Sequence, residues 1–334
     1  MKQARHHGAS QRGFALLTVL VIVALVAIMA SNVLYEQYAQ IKRSTHMLHQ
    51  AQSLSVAYGL ESWVKKGLKV DAQNNATDHL TEVWAQPMAP MAFEGGEVSG
   101  QLVDLNGRLN INNLADTDEV MRGLWYAMFT RYAARQGLDF SLSDVLTDWV
   151  DTDDEPMPLG AESDAYLLLN PAYRAANRPF SMLSELKNVQ GFATLEPLKW
   201  QAVLNDLAAL PSVSSINVNT ASKVTLLVLA DWITDAMVDS WLQRRQTEPA
   251  QTVEEFTAFL QTQSGFTQAE VALDFPDGVL SVQSQYFLLK AQVDYGVAQQ
   301  AVFGLFYRKS PTDVSLVQRW LSVTERVTQS RAAP

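Results

Sequence analysis

The 334-residue sequence contains no cysteine. Disulfides and thiolate metal sites are therefore excluded, and any part of the chain outside the cytoplasm must be held by its core or by a metal. Charge is scarce: 18% of residues are Asp, Glu, Lys or Arg, and 25 cations face 35 acids for a net charge of −10. Binding to a nucleic-acid backbone relies on clustered Lys and Arg, so that class of partner is disfavoured. The sequence also lacks Gly-x-Ser-x-Gly, His-Glu-x-x-His and a phosphate-binding glycine loop, and with them the commonest hydrolase and nucleotide signatures. His46 and His49 lie about one helical turn apart with no third ligand near them. From Phe14 to Tyr58 there is neither glycine nor proline, so nothing in that stretch interrupts a helix.

What is present begins with a basic leader, Met1–Gly13, carrying Lys2, Arg5 and Arg12 and no acid. Phe14 to Tyr35 then runs 22 residues without a charge, about 33 Å of helix and enough to span a bilayer core. The basic flank puts the N-terminus in the cytoplasm. A cleaved secretory signal has an apolar core of only about 7–15 residues, so this run is too long for one. Basic leader, Gly13, Phe14 and an unbroken apolar helix resemble a type IV prepilin. The resemblance implies cleavage between Gly13 and Phe14 and methylation of the new amine. Apolar or small residues continue at Leu34, Tyr38, Ile41, Thr45, Leu48, Ala51 and Ser55, a helical stripe that carries the stem onward without a linker. At mature position five, where most pilins have Glu, this chain has Thr18. A subunit with no neighbour above it has no ammonium there to neutralise.

The rest predicts an α+β fold of the type IV pilin kind, a long helix on an antiparallel sheet interrupted by a large all-α insertion. Residues 97–113 alternate and contain Asn106-Gly107, a hairpin signal. Val279–Val293, Ala301–Lys309 and Val314–Ser322 read as three more strands. The expected organisation is leader 1–13, membrane helix 14–35, head 36–113, helical insertion 114–274, head strands 275–322 and tail 323–334. The insertion shows a loose duplication. Leu109-Asn-Ile-Asn-Asn113 recurs as Ile216-Asn-Val-Asn-Thr220, Trp149-Val150 as Trp241-Leu242, Glu155-Pro156 as Glu248-Pro249, and Ser184–Phe192 parallels Val253–Phe256 and Ser264–Phe266. Each unit reads as a helix-hairpin-helix-like module.

Between Gln136 and Tyr173 there are nine acids and no Lys, Arg or His. The matching turn of the second unit reads Gln243-Arg-Arg-Gln246, so the scaffold itself does not require acids there. Crowded hard oxygens suit Ca²⁺. The candidate ligands are Asp151, Asp153, Asp154, Glu155, Glu162 and Asp164. Asp151, Asp153, Glu155 and Glu162 even fall at EF-hand positions one, three, five and twelve, but Pro156 stands where that loop needs its glycine.

Asp148-Trp-Val-Asp-Thr-Asp-Asp-Glu-Pro156, Gly160-Ala-Glu162, Asn170-Pro-Ala-Tyr173, Ser184-Glu-Leu186 and Ile216-Asn-Val-Asn-Thr-Ala221 resemble the K-type minor pseudopilins (GspK family) of the type II (general) secretion pathway. The resemblance implies a non-enzymatic subunit capping the periplasmic pseudopilus and supporting export of folded proteins. It also implies a calcium site in the insertion. The implied partners are I- and J-type minor pseudopilins, other pseudopilins, prepilin peptidase, the inner membrane and secreted substrates, with no nucleic acid. Two alternatives from other classes are a membrane-anchored DNA receptor using the hairpin modules and an anchored carbohydrate-binding or hydrolytic protein.

Overall fold

The computed structural model describes residues 12–322. The leader up to Gln11 and the tail 323–334 lie outside the described residues. The first element is one uninterrupted helix, α1 (Arg12–Asn74), of 63 residues, about 95 Å long at 1.5 Å per residue. Strands β1 (Met88–Phe93) and β2 (Gly96–Asp104) follow. The chain then builds two consecutive units. The first opens on β3 (Leu109–Asn110), passes through α2 (Glu119–Arg135), α3 (Leu142–Val150), α4 (Ser163–Tyr166) and α5 (Pro197–Asp206), and closes on β4 (Leu207–Ala208). The second opens on β5 (Ile216–Asn217), passes through α6 (Lys223–Leu227), α7 (Asp235–Arg244), α8 (Val253–Ser264) and α9 (Gln268–Asp274), and closes on β6 (Leu280–Ser281). Strands β7 (Tyr286–Tyr295), β8 (Ala298–Ser310) and β9 (Asp313–Ser322) complete a sheet of order β1-β2-β7-β8-β9, antiparallel throughout. The architecture is α+β, as the sequence predicts.

The head is held by one stripe of α1. Ala57, Leu60, Val64 and Leu68, in steps of three and four, are buried against Phe287, Leu289, Ala291 and Val293 of β7 and Val302 and Phe306 of β8. Each large side chain buried there contributes about 1.5–3 kcal/mol. Among them, buried Glu61 is met by Arg319 of β9 through two parallel bonds of 2.5 Å. The alternate residues Tyr286 and Leu288 point to the other face, where Leu105, Ala208 and Leu210 seat the insertion on the sheet. The insertion has its own core, built around Trp125, Met128, Trp149, Tyr166, Trp241 and Phe256.

Asn106-Gly107 does not make the expected hairpin. The reversal lies earlier, at Glu94-Gly95, where Gly95 takes φ +94° between β1 and β2. The Asn106 amide is a cross-link instead: its Oδ1 accepts from Gln285 N and Tyr286 N at 3.0 and 2.9 Å, and its Nδ2 donates to Ser215 O. Gly107 is needed for close approach, because a Cβ there would meet Thr220 O at 2.8 Å. The expected strand from Val279 is also broken, into β6 and β7, because Ser284 turns aside to bond Asp78.

The duplication is real in three dimensions, with a corrected register. Each unit opens and closes on two-residue strands that pair in parallel, Leu109 with Leu207 and Ile216 with Leu280. The opening asparagines fold their side chains onto the backbone two residues on, Asn110 to Asn112 N and Asn217 to Asn219 N. The next asparagine cradles a distant peptide in both directions: Asn112 holds Phe180, and Asn219 holds Ala250. Glu185 then caps Ser181 N as Glu255 caps Gln251 N. The counterpart of Pro249 is thus Pro179, not Pro156.

Candidate functional site

That register isolates an extra segment. Thirty-one residues separate Trp149 from Phe180, but nine separate Trp241 from Ala250. The first unit therefore carries 22 additional residues, and Asp151 to Asp164 fall within them. The second unit closes the same turn with an internal cation: Arg245 Nη1 donates to Ala221 O at 2.7 Å and Val218 O at 3.2 Å, and its burial lowers its pKa to about 10.

In the first unit, α3 ends in acids. Asp148 lies in its last turn and Asp151 is its C-cap, at the end of the helix dipole that favours a cation. Glu162 comes back from the loop as the N-cap of α4. Oxygens of Asp148, Asp151 and Glu162 all lie within 4.8 Å of one another. Asp148 is 0% and Glu162 5% exposed. Neither Glu162 oxygen has a hydrogen-bond donor within the protein, and Asp151 Oδ1 and Asn177 Oδ1 are likewise buried without one. Three orphaned oxygens within a group of three carboxylates are unfavourable in themselves. They are the donor set that a hard cation takes. Burial raises the Glu162 pKa to about 7, helped by the charges of Asp148 and Asp151. It raises the Asp151 pKa to about 6, with Asp153 and Asp148 adding to it. Asp148 is also raised, chiefly by burial.

The loop is built to hold this geometry. Asp148 accepts from Met157 N at 3.0 and 3.2 Å, and Asp144, bonded by the Tyr126 hydroxyl, accepts from Leu159 N at 3.0 Å. Gly160 passes so close to Asp148 that a Cβ would come within 1.8 Å of its Oδ2. Gly160→Ala is therefore expected to cost about 1–3 kcal/mol by overpacking, as melting curves would register. Asn177, at φ +44°, donates to Asp153 O at 2.9 Å and Asp154 Oδ1 at 3.2 Å, which fixes the loop's start against its end.

Of the sequence-derived ligands, Asp151 and Glu162 belong to the group, and Asp153 and Asp154 stand at its exposed rim. Glu155 and Asp164 are exposed and outside it. Asp153 Oδ1 caps Glu155 N, and Asp164 sits in the first turn of α4, a favourable place for an acid without any metal. Asp148 and Asn177 were missed. Asp148 could have been found, because it lies three residues before Asp151 on a helix and so shares its face. Asn177 belongs to the stretch that resembles the K-type family but was not read as a ligand. At the other end of the molecule Phe14 is exposed, and the Thr18 hydroxyl donates within its own helix, to Ala15 O at 2.9 Å and Phe14 O at 3.2 Å.

A single helix long and apolar enough to cross a membrane among the described residues, continuous with the spine of a five-stranded antiparallel head, defines a pilin-fold subunit. The two-unit insertion between its second and third sheet strands narrows the class. Two family models, both described as Type II secretion system (T2SS), protein K, match residues 107–212 and 216–282, nearly the limits of the two structural units. The type II secretion system protein K of Pseudomonas aeruginosa is 32% identical over 321 residues, covering 92% of each chain. That of Klebsiella pneumoniae is 28% identical, covering 92% of this chain and 96% of its own. Among solved structures, one chain of the GspK-GspI-GspJ complex from enterotoxigenic Escherichia coli superposes with a TM-score of 0.74 at 24% identity, over 84% of this chain and 99% of that one. The chain belongs to the type II secretion system protein K family.

Proposed function

We propose that this protein is the tip subunit of the type II secretion pseudopilus, a structural rather than catalytic component that supports export of folded proteins. Its stem is anchored in the inner membrane through Phe14–Tyr35, with the N-terminus cytoplasmic and the head and insertion periplasmic. Prepilin peptidase cuts between Gly13 and Phe14 and the new amine is methylated. I- and J-type minor pseudopilins are its immediate neighbours, since the solved relative is a complex with GspI and GspJ. The observation that carries the reading is the insertion itself, two helical units mounted on one end of the pilin sheet, where their bulk obstructs further stacking. Thr18 agrees with it, because a hydroxyl satisfied within its own helix offers no counter-charge to a subunit above. The DNA-receptor alternative gains no support from the hairpins, where Lys187 lies over the Trp200 ring and Lys199 bonds Gly137 O.

Calcium belongs to the same proposal. Asp148, Asp151, Glu162 and the Asn177 side-chain oxygen would hold it, with Asp153 and Asp154 at the rim. Bound there, it would supply the positive charge that the second unit obtains from Arg245. The tip assignment is tested by gold or cross-link labelling of assembled filaments, with mass spectrometry of the N-terminus. Expected are one terminal label per filament and a mature chain starting at N-methylated Phe14. Many copies along the shaft would refute the tip assignment, and an intact Met1 would refute the processing.

A further inference from the structure

The longer connection of the first unit, from Trp149 to Phe180, does more than gather acids. It also forms α4, whose backbone bonds run on past its end: Leu167 N donates to Ser163 O at 2.9 Å, Leu168 N to Ala165 O at 3.3 Å and Leu169 N to Tyr166 O at 3.2 Å. Tyr166 is the inward residue of this turn, 0% exposed. Its ring lies against Trp149 and Tyr173, with centroids 5.0 and 5.3 Å away, and its hydroxyl accepts from Gln190 N. At about 100° per residue the next three residues fan away from it, the middle one nearly opposite. Their exposures follow that order: Leu167 45%, Leu168 87% and Leu169 47%. Anchoring Tyr166 thus holds three adjacent leucines in solvent. The duplicated scaffold does not ask for them, since the matching stretch of the second unit, Gln243 to Pro249, has no Leu, Ile, Val, Met or aromatic residue. Adjacent exposed leucines on a fixed turn are a contact surface, unlike apolar residues scattered singly.

The charges around the leucines select what covers them. Asp164 precedes Leu168 by four residues and so shares its side of the turn. Asp153 and Asp154 are exposed at the rim of the cation group, whose Glu162 is the N-cap residue of α4. The only cations of the connection are Arg174 and Arg178, and Arg178 pairs with Glu185 at 3.2 Å. A second copy of this chain would therefore set like charge against like. The membrane is out of reach. His49 accepts from Val297 N at the stem end of the sheet, already about 21 Å of helix past Tyr35. The insertion hangs from the opposite end of β7, about 30 Å further on. A protein surface with large apolar side chains flanked by Lys or Arg matches both the leucines and the acids. On one helix that pattern is a basic amphipathic face, with apolar residues in steps of three and four.

We propose that Leu167, Leu168 and Leu169 form a docking knob for a basic amphipathic helix of a protein partner. The apolar stripe of that helix covers the leucines, and its Lys or Arg side chains meet Asp164, Asp153 and Asp154. Because Glu162 belongs both to α4 and to the cation group, filling the cation site steadies the knob and strengthens docking. This coupling rests on the calcium reading above, whereas the knob itself does not. The test titrates the full-length chain, in phosphatidylcholine nanodiscs with empty discs as the blank, against a fluorescent helical peptide of leucine and lysine with leucines in steps of three and four. Leu168→Ser weakens binding about tenfold or more and leaves the melting temperature near wild type, because that side chain is exposed. Leu198→Ser, at the 85% exposed position of α5, leaves the affinity unchanged. Glutamate in place of the peptide's lysines weakens binding about tenfold or more, and chelator weakens the lysine peptide about fivefold or more. No binding by the wild-type chain, equal binding by Leu168→Ser or of the glutamate peptide, or self-association of the chain that Leu168→Ser abolishes would overturn the knob. Chelator that shifts the melting curve without changing the affinity would overturn the coupling alone. Chelator that changes neither would overturn the calcium reading and the coupling with it, and leave the knob standing.

Discussion

Calcium added to metal-free protein is expected to raise its melting temperature by about 5–8 °C at a hundredfold excess over Kd, from about 2.7 kcal/mol of linkage spread over a domain of this size. Glu162→Gln should remove that response. The cause is the orphaned set of oxygens on Asp151 and Glu162 beside Asp148, which only the folded state assembles. The effect should depend on pH in a defined direction. Folding raises Glu162 to about 7 and Asp151 to about 6, so without calcium the folded state binds protons that the unfolded chain has released. Their stabilisation is full below the ordinary carboxylate range and is lost as pH rises through about 6 to 7. Calcium bound there would replace those protons, so its benefit would grow over the same window. Melting curves at about pH 5 and about pH 7.5, with calcium and with chelator, should diverge only at the higher pH. The Gln variant, relieved of one buried charge, should melt no lower than metal-free wild type. Curves unmoved by chelator at both pH values would mean that the loop holds no cation.

Arg308→Met is expected to destabilise the protein by about 3–5 kcal/mol, the usual consequence of stripping one partner from a buried ion pair. Arg308, on β8, is 8% exposed and pairs with Asp78 and, at 3.2 Å, with Asp71, while its Nε and Nη2 hold Ser284 O. Ser284 and Thr220 in turn donate to Asp104, which burial raises to about 6. One guanidinium thus joins the end of α1, the end of β2, the start of the second unit and the return to β7. Without it, at least two carboxylates are left buried with no cation. Urea unfolding should show the loss, and adding Asp78→Asn should recover part of it. A single substitution costing less than about 1 kcal/mol would mean that the cluster is solvated in solution.

The parts that were legible in the sequence are those written in short-range patterns. The uninterrupted run from Phe14 fixes α1, and alternation fixes β7 to β9. The Asn-x-Asn repeats mark both units because the same local hydrogen bonds are made twice. What was not legible depends on partners distant in the chain. Asn106-Gly107 reads as a turn until Gln285 and Tyr286 arrive to occupy its amide. Glu155-Pro156 matches Glu248-Pro249 in letters, yet the peptides held by Asn112 and Asn219 show that the true counterpart begins at Pro179. The acidic run announced excess negative charge but not its geometry: the loop turns Glu155 and Asp164 away while α3 brings Asp148 in from the other side.

The insertion leaves and rejoins the head at adjacent points, since Asp104 at the end of β2 lies opposite Phe287 at the start of β7. Both attachments are at the same end of one antiparallel pair, which sets how the molecule bears load. A pull on the insertion does not shear the sheet along its strands. It peels β2 from β7 one hydrogen bond at a time, the mechanically weak direction, and these two neighbouring strands take the whole force. The Asp104–Ser284–Arg308 knot sits at the fork, like a stitch at the top of a seam. Compression along the same axis seats the insertion on Tyr286 and Leu288. Under tension, that stitch and the Asn106 amide bonded to Gln285 and Tyr286 hold the seam closed.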